Sequence, residues 1–264
     1  MFPLLPFPSQ REIILFALVL GRMAGMFSAL PVFGGKRLPL QIRVVAVMAM
    51  SLICFPLLNV NAPNIPDDTI SLALLALREV MIGITLSFVT QIIFSAVEFS
   101  GQIIGMQMGF TMAAIMDPTH GTQSQVMSVM QSLLATLMFL CMSIHHLFIR
   151  AIVDSFHIIP LGVWHLNGEI ITFLTRATAD VFVLGVRLAA PVMVALLLTS
   201  VTLGIMARSF PQMNVFMISF PLNIGIGFII LGATLPMFFH VLEVSFGSVK
   251  EQIDTIFRLM AKGG

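Results

Sequence analysis

Long apolar runs alternate along the chain with short polar interruptions. The runs are Ile13 to Phe33, Val44 to Leu58, Ile70 to Val97, Val126 to Ile149, Val181 to Met206 and Val215 to Leu242. About 20 mostly apolar helical residues cross the hydrocarbon core of a bilayer. The runs therefore predict an all-α, polytopic, membrane-associated chain. Val44 to Leu58 is short and ends at Phe55-Pro56, which disfavours further helix. Ile70 to Val97 is too long for one upright span. Val181 to Met206 contains Pro191; Val215 to Leu242 contains Pro221, Asn223, Gly225, Gly227 and Pro236. These breakers predict long, broken helical hairpins. Breakers are tolerated at membrane depth when neighbouring helices satisfy the freed backbone groups, and broken helices also line transporter sites. The end, Ser245 to Gly264, spaces Val249, Ile253, Ile256, Phe257 and Met260 among Lys250, Glu251, Asp254, Arg258 and Lys262. That spacing predicts an amphipathic helix with a charged face.

Four charges interrupt the apolar runs: Arg22, Arg78, Glu79 and Arg187. A mid-membrane Arg or Asp costs about 2.5–3.5 kcal/mol, while each Leu, Ile, Val or Phe returns only about 0.3–0.6. Arg78 and Glu79 point about 100° apart on a helix and do not pair with each other. Each of the four needs a partner elsewhere. Intramembrane charge marks functional sites by default. Charges scattered over several runs also suit burial against another subunit or a place outside the lipid altogether, and this second reading weighs more because an ion relay would concentrate them.

Residues 95 to 125 break the simple pattern. Gly101, Gly105 and Gly109 recur every fourth residue and drift about 40° per step, a smooth stripe for close helix packing. Gln102 and Gln107 lie beside it. Met108, Met112 and Met116 share the spacing, with Met106 and Phe110 nearby, and Asp117-Pro118 then favours a turn. One reading is an interior helix that ends in a turn. The other is a mobile constriction, where glycine allows bending and methionine forms a soft, repacking seal. Spacing leaves both open.

Composition sharpens the picture. Hydrophobic residues make up 58% and charged residues 9%, with a mean hydropathy of +1.03. Soluble domains carry about 25% charge, so much of this surface must face lipid or apolar subunits. A net charge of +1 gives no nucleic-acid footprint. Twenty Met and 23 Phe with no Tyr and one Trp point to adaptable packing over an interfacial aromatic girdle. Cys54 and Cys141 read as small core residues. Met1 to Gln10 has three prolines and no basic residue, which does not suit a cleavable signal. The basic stretch Gly34 to Arg43 is expected on the cytoplasmic side, and the acidic stretch Asn59 to Asp68 on the other.

Covalent chemistry has no visible carrier. The chain lacks a phosphate-binding loop, a dinucleotide fingerprint, His-Glu-x-x-His and Gly-x-Ser-x-Gly. His145 and His146 diverge on a helix and read as a polar end to their run. Asp154, Ser155 and His157 read as a polar loop before Pro160. Glu79 and Glu98 read as solitary carboxylates. No enzyme activity, cofactor or metal is expected.

Taken in order, these motifs resemble the FliR family of type III secretion export-gate proteins. The resemblance rests on Arg22 with Pro31-Val32-Phe33-Gly34 and Pro39, Arg78-Glu79-x-x-x-Gly83, and Gly101-x-x-x-Gly105-Met106-Gln107-Met108-Gly109 ending at Asp117-Pro118. It continues through His145, Asp154-Ser155-Phe156-His157 with Pro160 and Gly162, Ala190-Pro191, Arg208-x-x-Pro211-Gln212-x-Asn214-x-Phe216 and Phe220-Pro221-Leu222. The flagellar branch fits better than the virulence branch. The resemblance implies one subunit spanning 1-264, with a FliP-like part to about residue 180 and a FliQ-like hairpin and tail after it. It implies a helical hetero-oligomer with several copies of FliP and FliQ in the bacterial inner membrane, partly raised toward the periplasm. FlhB would lie at the cytoplasmic entrance, and unfolded flagellar subunits would pass through. Gly105 to Thr122 would plug the closed passage, and Arg22, Arg78, Glu79 and Arg187 would be buried charge partners. A self-sufficient small-solute or ion transporter is the alternative from a different class.

Overall fold

A computed structural model describes residues 10–30, 39–57, 68–110, 126–162, 167–210, 212 and 214–261. Every regular element among them is helical. The order is α1 (Gln10–Ala29), α2 (Leu40–Cys54) with a 3-10 turn at Phe55–Leu57, α3 (Thr69–Gln107), α4 (Val126–Cys141), α5 (Ile144–Ile158), α6 (Gly168–Ser209), α7 (Val215–Gly247) and α8 (Val249–Ala261). Three helical stretches, Thr69–Gln107, Gly168–Ser209 and Met217–Ala261, are long and apolar enough to cross a membrane. The architecture is that of an all-α, polytopic helical membrane protein.

The breaks fall elsewhere than the breakers predict. α6 runs through Pro191, and α7 runs through both Pro221 and Pro236. A proline removes one backbone donor, and each of these long helices continues through the loss on its remaining hydrogen bonds. The real break lies inside the run Val126 to Ile149. There Ser143 adopts a left-handed φ of 56°, and the chain bends between the end of α4 at Cys141 and the start of α5 at Ile144. The bend starts a new helix at Ile144, so Asp154, Ser155 and His157 lie in α5 and not in a loop. His145 and His146 open that helix instead of closing a run. Cys54 is buried as expected, whereas Cys141 ends α4 on the surface.

The chain divides into two compact units. The first comprises Met1–Gln91, Ser143–Arg176 and Ser248–Gly264. Leu18, Val19, Met23 and Met26 of α1 are buried, as are Ile82, Leu86 and Val89 of α3. In α8 the apolar face Val249, Ile253, Ile256, Phe257 and Met260 is buried, while Lys250, Glu251, Asp254 and Arg258 are exposed. That helix packs against α5. Asn167 caps the start of α6: its Oδ1 accepts from the Ile170 amide at 2.9 Å, and its Nδ2 donates to the Leu259 carbonyl at 3.0 Å.

The second unit comprises Ile92–Met142 and Ala177–Gly247. Its axis is the second half of α3. Phe94, Phe139 and Phe246 form a buried trio with ring centroids 5.8–5.9 Å apart. The Ser100 hydroxyl donates to Gln131 Oε1 at 2.6 Å, and the Ser128 hydroxyl to the Glu98 carbonyl at 3.1 Å. Contacts of 94 with 139, 100 with 131 and 98 with 128 set α4 antiparallel to α3. Gly185 of α6 lies on Phe99 and the Ala96 carbonyl, and Gly227 of α7 lies on Met108. Ile104, Met108, Met127, Ala189, Val192 and Leu196 close the far end of this core.

Candidate functional site: a buried arginine clamp and a glycine-ended rod

In the first unit one arginine organises three segments. Arg22 leaves α1 on the side facing α3, where Gly21, Gly25 and Gly83 let the two backbones approach closely. Its side chain and that of Glu79 are both fully buried. Arg22 Nε donates to Glu79 Oε2 at 2.7 Å. Nη1 donates to the Ser155 carbonyl at 3.0 Å, the Ser155 hydroxyl at 3.1 Å and the Ile159 carbonyl at 3.2 Å. Nη2 reaches the same Ile159 carbonyl at 3.1 Å. The guanidinium carbon lies 4.2 Å from the Phe156 ring centre. Glu79 Oε1 accepts from the Gly162 amide at 3.0 Å. Arg78 makes a marginal contact, 3.5 Å, with the Gly162 carbonyl.

The last carbonyls of a helix have no partner within it and carry partial negative charge. The C-terminal end of α5 therefore completes what Glu79 begins, and Arg22 meets one full and one partial negative charge. Guanidinium stays protonated in proteins, so Arg22 acts as a fixed charge. It holds α1, α3 and the end of α5 together. Sequence reasoning demanded partners for Arg22 and Glu79, but it did not name Ser155, Ile159 and Gly162 as those partners. All three contribute backbone groups, which no residue type announces.

Arg187 lies in the second unit. It is exposed on α6, on the side away from the buried line Gly185, Leu188, Ala189 and Val192. It borders a cavity of about 20 Å³ lined also by Ile104, Gln131, Pro191 and Thr234. Among the described residues no carboxylate lines that cavity.

The central segment is described as far as Phe110; Met112, Met116, Asp117 and Pro118 lie outside the described residues. A Cβ at Gly101 would come within 2.5–2.7 Å of the Ser128 backbone, so this glycine sets the α3–α4 distance. Gly105 is buried. Met106 faces outward, while Met108 is fully buried in its own unit. Gly109 ends the helix at a φ of 89°, with the Phe220 ring 3.0 Å from where a Cβ would sit. Phe110 packs half-buried on the core of Met108.

Gly109→Val should thus cost about 1–2 kcal/mol from the left-handed backbone alone, before Phe220 moves. Gly109→Asn should cost less, because Asn tolerates that region. Thermal unfolding of both variants in detergent checks the order. Among the described residues no group of three His, Cys, Asp or Glu is placed to hold a metal ion.

Comparison with known proteins extends over nearly the whole chain. Residues 13–249 match the family described as Bacterial export proteins, family 1. The flagellar biosynthetic protein FliR of Escherichia coli (strain K12) is 31% identical over 228 residues, covering 86% of this chain and 87% of its own. FliR of Bacillus subtilis (strain 168) is 30% identical over 248 residues, covering 93% and 95%. FliR of Pectobacterium carotovorum is 30% identical over 235 residues, covering 89% of each.

Proposed function

The chain belongs to the FliR family of bacterial export proteins, and from that premise we propose that it is a subunit of the flagellar type III protein export gate. In this reading it assembles with several copies of FliP and FliQ around a passage for unfolded flagellar subunits, with FlhB at the cytoplasmic entrance. The stretch to about residue 180 takes a FliP-like place in the stack, and residues from about 181 a FliQ-like place. The gate sits in the inner membrane within the flagellar basal body, partly raised toward the periplasm.

One observation supports this reading most. The two long helices of the FliQ-like part bury little within their own chain: 28% of the apolar window of α6 and 11% of that of the stretch Met217–Ala261. Val183, Leu198, Ile205, Met217 and Ile229 are each more than half exposed. Apolar patches of this extent mark membrane or subunit contacts. Purification in mild detergent after co-expression with FliP and FliQ is the test. A gate subunit comes out bound to both. A chain recovered only as a stable monomer or a symmetric homo-oligomer would fit the transporter alternative and end the gate reading.

The central segment is proposed as the plug, with Gly105, Met106, Met108, Gly109, Phe110, Met112, Met116, Asp117 and Pro118 as its residues. Gly109 ends α3 in a left-handed turn, and Met108 is buried in the core of the second unit. Deleting Gly105 to Thr122 should leave the assembly intact and raise ion leak through the reconstituted closed gate. An unchanged leak would remove the plug assignment.

A further inference from the structure

Pro191 leaves one backbone group of α6 unmatched. A helix carbonyl accepts from the amide four residues on, and proline has no amide hydrogen. α6 runs through Pro191, so the Arg187 carbonyl loses its helical donor. Helix carbonyls point toward the C-terminal end, which sets this one beneath the Pro191 ring. Arg187 and Pro191 both line the cavity of about 20 Å³ in the second unit.

Two further polar groups border the same space, each from another helix. Gln131 of α4 lines it with a side chain only 3% exposed. Its Oε1 accepts from the Ser100 hydroxyl. Its Nε2 has two hydrogens to give and donates to no described residue. Thr234 of α7 lines the cavity too. The Thr234 hydroxyl is directed at the Ile230 carbonyl, 2.9 Å away, so what it can still offer is a lone pair. Ile104, Leu188 and Val192 are buried and apolar parts of the wall.

One donor and two acceptors thus meet around room for one small molecule. A cation would meet the Gln131 amide hydrogens. An anion would meet the Thr234 and Arg187 oxygens. An apolar ligand would leave all three groups unmatched. Water both donates and accepts. A buried water needs about 10–15 Å³ of such space and two to four polar partners. Ordered water is also one way in which groups freed by proline are satisfied in apolar helices.

We propose that this cavity binds one water molecule, which accepts from Gln131 Nε2 and donates to the Arg187 carbonyl and Thr234 Oγ1. The water stands in for the hydrogen bond that Pro191 removes from α6, and it ties α4, α6 and α7 together at one height. It belongs to the second unit alone and does not rest on the gate reading.

Radiolytic footprinting of the full chain in detergent tests this directly. X-rays turn a bound water into hydroxyl radical in place, and the radical modifies the side chains beside it. Leu188 and Leu203 provide the comparison. Both belong to α6 and are buried alike, at 6% and 7% exposure, and of the two only Leu188 lines the cavity. A bound water predicts roughly five-fold or more modification at Leu188 relative to Leu203. A ratio near one means a dry cavity and overturns the proposal.

Gln131→Leu should bring the ratio close to one, and Ser100 keeps the Val97 carbonyl as its acceptor. Thr234→Val removes one oxygen at nearly constant shape and should lower the ratio at least two-fold. It also serves if Gln131→Leu does not fold. A high ratio that survives both changes means that radicals reach Leu188 from outside, which overturns the proposal. Replacing chloride by gluconate in the buffer should leave the wild-type ratio unchanged. A rise on removing chloride would assign the cavity to an anion and overturn the water.

Discussion

Arg22→Ala is expected to be the most damaging single change in the first unit. Removing one member of a buried ion pair costs about 3–5 kcal/mol, because the other charge is left without compensation. Here that charge is Glu79, fully buried. The loss extends further, since the Ile159 carbonyl also loses its two guanidinium donors and the Ser155 carbonyl keeps only the Ile159 amide. Folded protein recovered from the membrane should fall steeply, and the surviving fraction should melt far below wild type. Arg22→Lys should rescue only in part. An ammonium can reach Glu79, but it has no planar fork to span to Ile159.

The double variant Arg22→Met with Glu79→Leu separates two accounts of the clamp. An isolated buried pair can often be replaced by apolar residues at little cost. In this chain the Gly162 amide and the Ile159 carbonyl would be left unpaired, at about 1–3 kcal/mol each. The double variant should remain clearly destabilised. A wild-type melting temperature would mean that the backbone contacts contribute nothing.

The second large effect belongs to Gly83. A Cβ at this position would run into the Arg22 carbonyl and the Met26 amide of α1. Both are backbone atoms, so neither can rotate aside. Gly83→Ala gains about 0.8–1.0 kcal/mol of helix propensity but must push α1 away from α3. Overpacking of this kind costs about 1–3 kcal/mol, and the displacement stretches the Arg22–Glu79 bond. Net destabilisation is expected, larger for Gly83→Val. Gly204→Ala in α6 is the control, because nothing lies within 4 Å of its added carbon. That variant should be neutral or slightly stabilised. Melting both in the same detergent reads the sign directly, and a stabilised Gly83→Ala would show that the close approach is dispensable.

Gly83 also shows where sequence reasoning stops. Its place four residues after Glu79 is a visible motif, yet the motif gives no reason for the glycine. The reason is Arg22 of another helix, which needs α1 and α3 almost in backbone contact to reach the carboxylate. The same holds for Ser155. Its short polar neighbourhood reads as a loop, and the bend at Ser143 that makes it helical depends on one left-handed residue. Prolines mislead in the other direction: Pro191, Pro221 and Pro236 all sit inside continuous helices.

The sequence alone determined the helical class, the scarcity of surface charge, the amphipathic last helix and the demand that Arg22 and Glu79 find partners. Those follow from local periodicity and from the cost of burying charge, both properties of residue types in order. Only the tertiary structure decided that Arg22 and Glu79 answer each other, that the end of α5 completes the clamp, and that Arg187 faces outward. Those depend on which helix faces which and on backbone groups, which every residue carries and no sequence distinguishes.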